Sequence, residues 1–126
     1  MSETTTDTVT RVATTTVVVA DLQRALEFYV DDLGLQVVRD AELGPGRRWV
    51  EVAPAGGGTR IALIAADSGF PPGIRLGTAD ADAAHAQLRG RGVDVDDEVL
   101  RMGGMAPPMF TVRDPDGNVL VLVEGA

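Results

Sequence analysis

The sequence predicts an α+β fold of two tandem βαβββ modules forming a concave mixed sheet around a cleft, because the chain repeats itself. Val50-Glu51-Val52-Ala53-Pro54-Ala55-Gly56-Gly57-Gly58 runs into the apolar segment Ile61-Ala62-Leu63-Ile64. Sixty positions on, Phe110-Thr111-Val112-Arg113-Asp114-Pro115-Asp116-Gly117-Asn118 runs into Val119-Leu120-Val121-Leu122-Val123. Asp21 before a helical stretch recurs as Asp80 before another, an offset of 59. A constant offset across strand, turn, strand and helix start implies two copies of one supersecondary unit. Each is too small to bury its own apolar face, so function is sought in the cleft they share.

The elements follow in order. Val12 to Val19 is β-branched nearly throughout and reads as a strand. Asp21 is a natural N-cap, with Leu22, Ala25, Leu26, Tyr29 and Val30 at helical spacing and Gly34 as the terminating glycine. Leu35 to Val38 is a short strand, residues 42–46 a turn cluster, and Arg48 to Ala53 with Arg60 to Ala65 a hairpin across a glycine-rich loop. Ile74 to Gly77 opens the second copy. Asp80 caps its helix, which carries Ala84 and Leu88 and ends at Gly90 and Gly92. A strand over Val93 to Val99 and a Met/Gly/Pro loop lead to the last hairpin, Met109 to Arg113 and Asn118 to Glu124, turned by Asp-Gly. The expected organisation is a disordered tail over 1–10 and a single domain over 11–126. Within it, modules 11–66 and 73–125 are joined by a linker over 67–72.

Composition narrows the partners. With no cysteine among 126 residues, thiolate chemistry and disulfides are excluded. The Thr-rich start lacks the basic and apolar regions of a signal peptide, and no segment approaches a membrane span. The expected location is cytoplasmic. A net charge of −8 opposes nucleic acid and anionic lipid, and mildly favours cationic or neutral small organic molecules, with Glu51 and the negative field favouring a basic ligand. All eleven basic residues are arginine, for which there is no physical account.

Two segments carry a family resemblance. Val19-Ala20-Asp21-Leu22-Gln23-Arg24-Ala25-Leu26-Glu27-Phe28-Tyr29, with Asp32-Leu33-Gly34-Leu35, resembles the first module of the vicinal oxygen chelate superfamily. Phe110 to Asn118 resembles its closing hairpin. The superfamily includes glyoxalase I, extradiol dioxygenases, fosfomycin-resistance transferases and bleomycin-resistance proteins. The resemblance spans Val12 to Glu124 and implies paired modules, often in a homodimer whose chains share a cavity. It also implies four inward positions that hold a divalent ion through His, Gln or Glu. In this chain those positions are Thr14, Ala62, Gly73 and Val121. Only Thr14 carries even a hydroxyl, so the expectation is no metal and no other cofactor.

Strand parity assigns the remaining candidates. Val50 and Val52 suit a helix-covered core, as do Phe110 and Val112. Trp49, Glu51, Met109 and Thr111 then lie on the opposite face, with Val119, Val121 and Val123 lining it in the last strand. Arg60 and Arg75 share parity with Ala62 and Gly73, and reach either the cleft or solvent. Trp49 is read either as a stacking surface or as a core or interface residue. Glu51 is read either as a general base or as a strand carboxylate paired with an arginine. His85 is expected half-exposed on its helix, Asp114 and Asp116 as turn formers, and Glu124 as a solvated terminal carboxylate. The flexible Met102 to Met109 loop is either an adaptable ligand surface or a plain connection.

The reading is a metal-free small-molecule-binding protein of the bleomycin-resistance type, sequestering a bulky, partly aromatic drug or natural product. The alternative is a glyoxalase-like lyase or isomerase, or a dioxygenase relative, with a displaced metal or acid–base chemistry at Glu51. The expected ligand contacts are Trp49, Glu51, Arg60, Ala62, Gly73, Arg75, Met109, Thr111, Val119 and Val121. No catalytic residue is assigned.

Overall fold

The structure is a computed structural model that describes residues 8–70 and 72–126. It divides into two units, Ala13–Gly73 and a second made of residues 8–12 with Ile74–Ala126. Each contains four strands and a helix, and the strands pair in both senses, so the α+β class and mixed sheet hold.

In the first unit, β1 (Arg11–Val19), α1 (Leu22–Leu26), β2 (Gln36–Glu42), β3 (Arg48–Ala53) and β4 (Arg60–Ala65) follow in sequence. The strands lie in the order β2-β3-β4-β1, with β4 and β1 parallel and the other pairs antiparallel. Asp21 is extended (φ −139°, ψ 110°), and its carboxylate accepts the Arg24 N–H at 3.2 Å, as an N-cap should. The single helix expected up to Leu33 changes winding partway. From Glu27 to Asp32 it continues as π-helical turns, and the Leu33 N–H donates to the Phe28 carbonyl at 2.9 Å. The aromatic and β-branched run Phe28-Tyr29-Val30 crowds a tight α-turn, which suits the wider winding. Gly34, at φ +81°, then supplies the left-handed residue that stops it. The second strand runs on to Glu42 rather than ending at Val38.

The second unit holds β5 (Ile74–Thr78), α2 (Ala81–Gly90), β6 (Asp94–Val95), β7 (Met109–Arg113) and β8 (Val119–Glu124), in the order β5-β8-β7-β6. Ala81 and Ala84 of α2 pack on Phe110 and Leu122, with Leu76, Leu88, Val95, Val99 and Val112 at the margin. Strand parity therefore assigned this core face correctly. Asp80 caps α2 by accepting the Ala83 N–H at 3.1 Å. Glu124 corrects the sequence reading of a simply solvated carboxylate: it is half-buried and accepts the Ala81 N–H at 3.0 Å, at the positive end of the helix.

Residues 8–10 of the expected tail are hydrogen-bonded to this unit. The Thr8 hydroxyl donates to Gln87 Oε1 at 2.6 Å, and the Thr10 N–H donates to the Gly77 carbonyl at 2.8 Å. Residues 1–7 lie outside the described residues. The strand expected over Val93 to Val99 shrinks to two residues. Beyond it the Asp96 carboxylate takes the Thr111 N–H at 2.9 Å, replacing a ladder carbonyl, and accepts from Arg113 at 2.8 Å. Asp114 forms the last turn as expected, accepting from the Asp116 and Asn118 amides at 2.9 and 2.8 Å, with Gly117 at φ +85°. No helix among the described residues is long and apolar enough to cross a membrane.

Two tests follow from the second unit. A Cβ added at Gly77 would overlap the Ala126 carbonyl and press on Arg11. Gly77→Ala should therefore lower the urea midpoint by an amount equivalent to about 1–3 kcal/mol. Burial resists ionisation of Asp96, but the Thr111 amide and Arg113 outweigh it and hold the carboxyl below its ordinary 3.8. A carboxyl whose folded pKa is depressed contributes stability above its unfolded value and loses it as pH falls through the folded one. Chemical denaturation between pH 7 and pH 2 should show stability falling below about pH 4, with a shallower fall in Asp96→Asn.

Candidate functional site

Trp49, Glu51, Arg60 and Ala62 share one face of the first unit's sheet, opposite the face bearing Val50, Val52 and Leu63. The antiparallel register pairs Glu51 with Ala62, and the parallel register pairs Thr14 with Arg60 and Thr16 with Ala62. Side chains at paired positions point the same way, so Thr14 and Thr16 join the group. The Trp49 indole N–H donates to Glu51 Oε2 at 2.6 Å, and Arg60 Nη1 donates to Glu51 Oε1 at 2.9 Å. Both oxygens of a carboxylate whose side chain is 7% exposed are thus engaged, while the Arg60 side chain stays 42% exposed. The reading of Glu51 as a carboxylate paired with arginine holds in the geometry.

Trp49 does not offer an open stacking surface. It is 5% exposed and packs with Ala62 and Ile64, with Leu43 and Phe70 closing over them. Phe70 meets its ring edge-on at a centroid distance of 5.2 Å. Arg47 in turn lies over Phe70, 4.6 Å from its centroid, and donates from Nε to the Ser68 carbonyl at 2.8 Å. Ser68 and Phe70, expected in the 67–72 linker, therefore fold over this face. Gly73 also groups with the first unit: its N–H donates to the Thr16 hydroxyl at 2.7 Å, and that hydroxyl donates to the Gly73 carbonyl at 3.0 Å.

The sequence reading missed Arg39 as a member of this face. It is the paired neighbour of Glu51 on β2, past a register shift between Val37 and Arg39. Only the longer second strand reveals it, because the polar run Arg39-Asp40-Ala41-Glu42 carries no strand signal of its own. Among the described residues no hydrogen bond or ion pair engages the Arg39 side chain. Thr14 is 5% exposed, and no described group takes up its hydroxyl. Asp40, which points the other way, is held below the usual carboxylate range by its hydrogen bond from Arg48.

The second unit places the other candidates on its own helix-free face. Thr111 pairs with Val121, Met109 with Val123, and Arg75 with Val121. Met109, Val121 and Val123 form a buried apolar cluster with Ala106 and Ala126 at its edge, and Arg75 Nη2 approaches Met109 Sδ at 3.7 Å. Val119 is 37% exposed at the start of β8. His85 is half-buried, its Nε2 2.6 Å from the Asp96 carbonyl and its ring edge-on to Phe110 at 5.1 Å.

The family's divalent ion does not fit these residues. Ala62 is fully buried and has no donor atom, Gly73 offers only backbone groups already bonded to Thr16, and Val121 is buried among apolar side chains. No three His, Cys, Asp or Glu side chains converge among the described residues. Glu51, the nearest carboxylate in register to Ala62, has both oxygens occupied. Hard and borderline cations need several converging N or O donors.

Two variants probe this face. Glu51→Gln weakens the arginine contact and should lower unfolding free energy by about 1–2 kcal/mol, discounted for the exposure of Arg60. Thr14→Val removes a buried hydroxyl without a described partner, so thermal and urea unfolding should show a gain of about 1 kcal/mol.

A model of the Glyoxalase/Bleomycin resistance protein/Dioxygenase superfamily matches residues 11–122. An uncharacterized Bacillus subtilis (strain 168) protein, YetH, is 29% identical over 119 residues, covering 90% of this chain and 98% of its own. Methylmalonyl-CoA epimerase from Mycobacterium tuberculosis is similar in structure, with a TM-score of 0.78 and 28% identity over 98% of this chain and 93% of that one. A Streptomyces coelicolor methylmalonyl-CoA epimerase variant in complex with 2-nitronate-propionyl-CoA matches with a TM-score of 0.71 and 25% identity, over 94% and 99% of the two chains.

Proposed function

The chain belongs to the glyoxalase/bleomycin resistance protein/dioxygenase superfamily, and from that premise we propose that it binds and sequesters a bulky, partly aromatic small molecule without a metal. One observation supports this most. At the positions where the family's enzymes hold their ion, this chain places side chains with no grip on one, and Glu51, paired in register with Ala62, is tied to Trp49 and Arg60. A carboxylate held at both oxygens is a fixed structural anchor, poorly placed to collect a proton from a substrate. Apolar burial with a few fixed polar groups is the usual make-up of a small-molecule site. The ligand contacts proposed in the first unit are Trp49, Glu51, Arg60, Ala62 and Gly73. Those proposed in the second unit, on its own face, are Arg75, Met109, Thr111, Val119 and Val121. Trp49 serves through its packing rather than through an exposed ring face. Glu51 is already matched by Arg60, so it does not select a basic ligand. A homodimer in the cytoplasm is the accompanying proposal.

The likeness to methylmalonyl-CoA epimerases favours a second reading, an isomerase-type enzyme with Glu51 as base. In that case Glu51 must release Trp49 or Arg60 during the reaction.

The two readings part in a paired experiment on protein purified without chelator. Native mass spectrometry and calorimetry against glycopeptide, quinone and enediyne-type compounds should find a ligand bound at one per chain, with affinity unchanged by EDTA. Incubation with methylmalonyl-CoA in deuterated water should show no exchange above the buffer rate. Stoichiometric metal with rapid exchange, lost in Glu51→Gln, would replace sequestration by catalysis.

A further inference from the structure

Arg60 on the first unit's helix-free face is a braced cation with donors to spare. Its Nη1 is fixed by Glu51 at 2.9 Å, and Glu51 is fixed by the Trp49 indole at 2.6 Å. Beyond that pair, no described residue engages the Arg60 guanidinium, whose side chain is 42% exposed. A guanidinium presents five N–H donors in a rigid fork suited to two oxygens at once. Bracing one corner against a buried carboxylate removes much of the rotamer freedom that an exposed arginine would lose on binding.

Beside it in register stands a buried hydroxyl. Thr14 is the parallel-strand partner of Arg60, is 5% exposed, and finds no described partner for its hydroxyl. Buried polar groups are nearly always matched, so an unmatched one marks a place where a ligand atom completes the set. Arg39, paired in register with Glu51 on the other side, adds a second cation with no described partner. Two arginines around one glutamate leave this face locally positive on a chain of net charge −8.

We infer that Arg60 and Thr14 hold an oxyanion of the bound molecule, a carboxylate or phosphate carried on a flat organic body. The inference rests on the binding reading above and names its ligand class. The oxyanion takes two N–H bonds from Arg60 and one O–H bond from Thr14.

Benzoate, benzamide and phenyl phosphate test it, followed through Trp49, the protein's single tryptophan. Benzoate should bind at least about tenfold more tightly than its neutral isostere benzamide, as expected for hydrogen bonds to a charged group. Arg60→Gln should erase that preference, and Arg60→Lys, which keeps the charge but loses the fork, should retain part of it. Because loss of Arg60 also disturbs Glu51, Thr14→Val gives an independent arm. It should weaken benzoate about tenfold, leave benzamide unchanged and leave the protein more stable than its parent. Tighter phenyl phosphate than benzoate assigns the oxyanion to phosphate, and the reverse order assigns it to carboxylate. Equal binding of benzoate and benzamide, or a preference that survives Arg60→Gln, overturns the anchor. If larger neutral aromatics still bind in that case, sequestration stands alone; if nothing binds, both readings fall.

Discussion

A single carboxylate organises the helix-free face of the first unit. Glu51 is buried, and a buried carboxylate with an empty oxygen would be costly, so its two partners are obligatory rather than decorative. Trp49 must turn its N–H toward β3's own next inward residue, which sets the ring's orientation. That orientation is what Phe70 packs against edge-on, and Phe70 in turn gives Arg47 a ring to lie over. The other oxygen fixes Arg60, whose side chain stays 42% exposed. Two loops and an arginine thus take their positions from one side chain.

That constraint bears directly on function. A carboxylate available for chemistry needs an oxygen facing substrate, and a carboxylate available for metal needs one facing the ion. Glu51 has neither. What the face carries is a braced guanidinium at Arg60 and a buried hydroxyl at Thr14, with Ala62 and Ile64 buried against Trp49, Leu43 and Phe70. The second unit's corresponding face also buries an apolar cluster, Met109, Val121 and Val123, but carries Thr111 where the first has Glu51. The duplicated framework has therefore diverged most at equivalent inward positions: Glu51 corresponds to Thr111, and Ala62 to Val121.

Much of the framework was legible because it rests on short-range rules. The repeat offset, the capping aspartates and the β-branched strands placed the helices and most strand ends within a residue or two, and parity sorted Phe110 and Leu122 from Met109 and Val121. The pairing of Glu51 with an arginine was also among the options that parity allowed. What stayed hidden depended on long-range geometry. Phe70 lies in a segment with no periodicity, so nothing local foretold that it would cover Trp49. Arg39 entered only once β2 ran past a register shift into a polar stretch. Glu124 was read by strand parity as solvated, and parity is silent about a helix N-terminus arriving above a strand end. The π-helical turns over Glu27–Asp32 are likewise a winding that a simple helical repeat does not encode.

The indole N–H of Trp49 offers the most direct reading of this arrangement, since one tryptophan gives one resonance. In an NMR spectrum of exhaustively chelated protein, that proton should appear well downfield of a solvent-exposed indole, as its bond to a carboxylate requires. It should stay there when zinc, nickel or manganese is added. A resonance at the free-indole position, or one that moves or broadens at stoichiometric metal, would mean that Glu51 is released to hold an ion, and the metal-free account would be wrong.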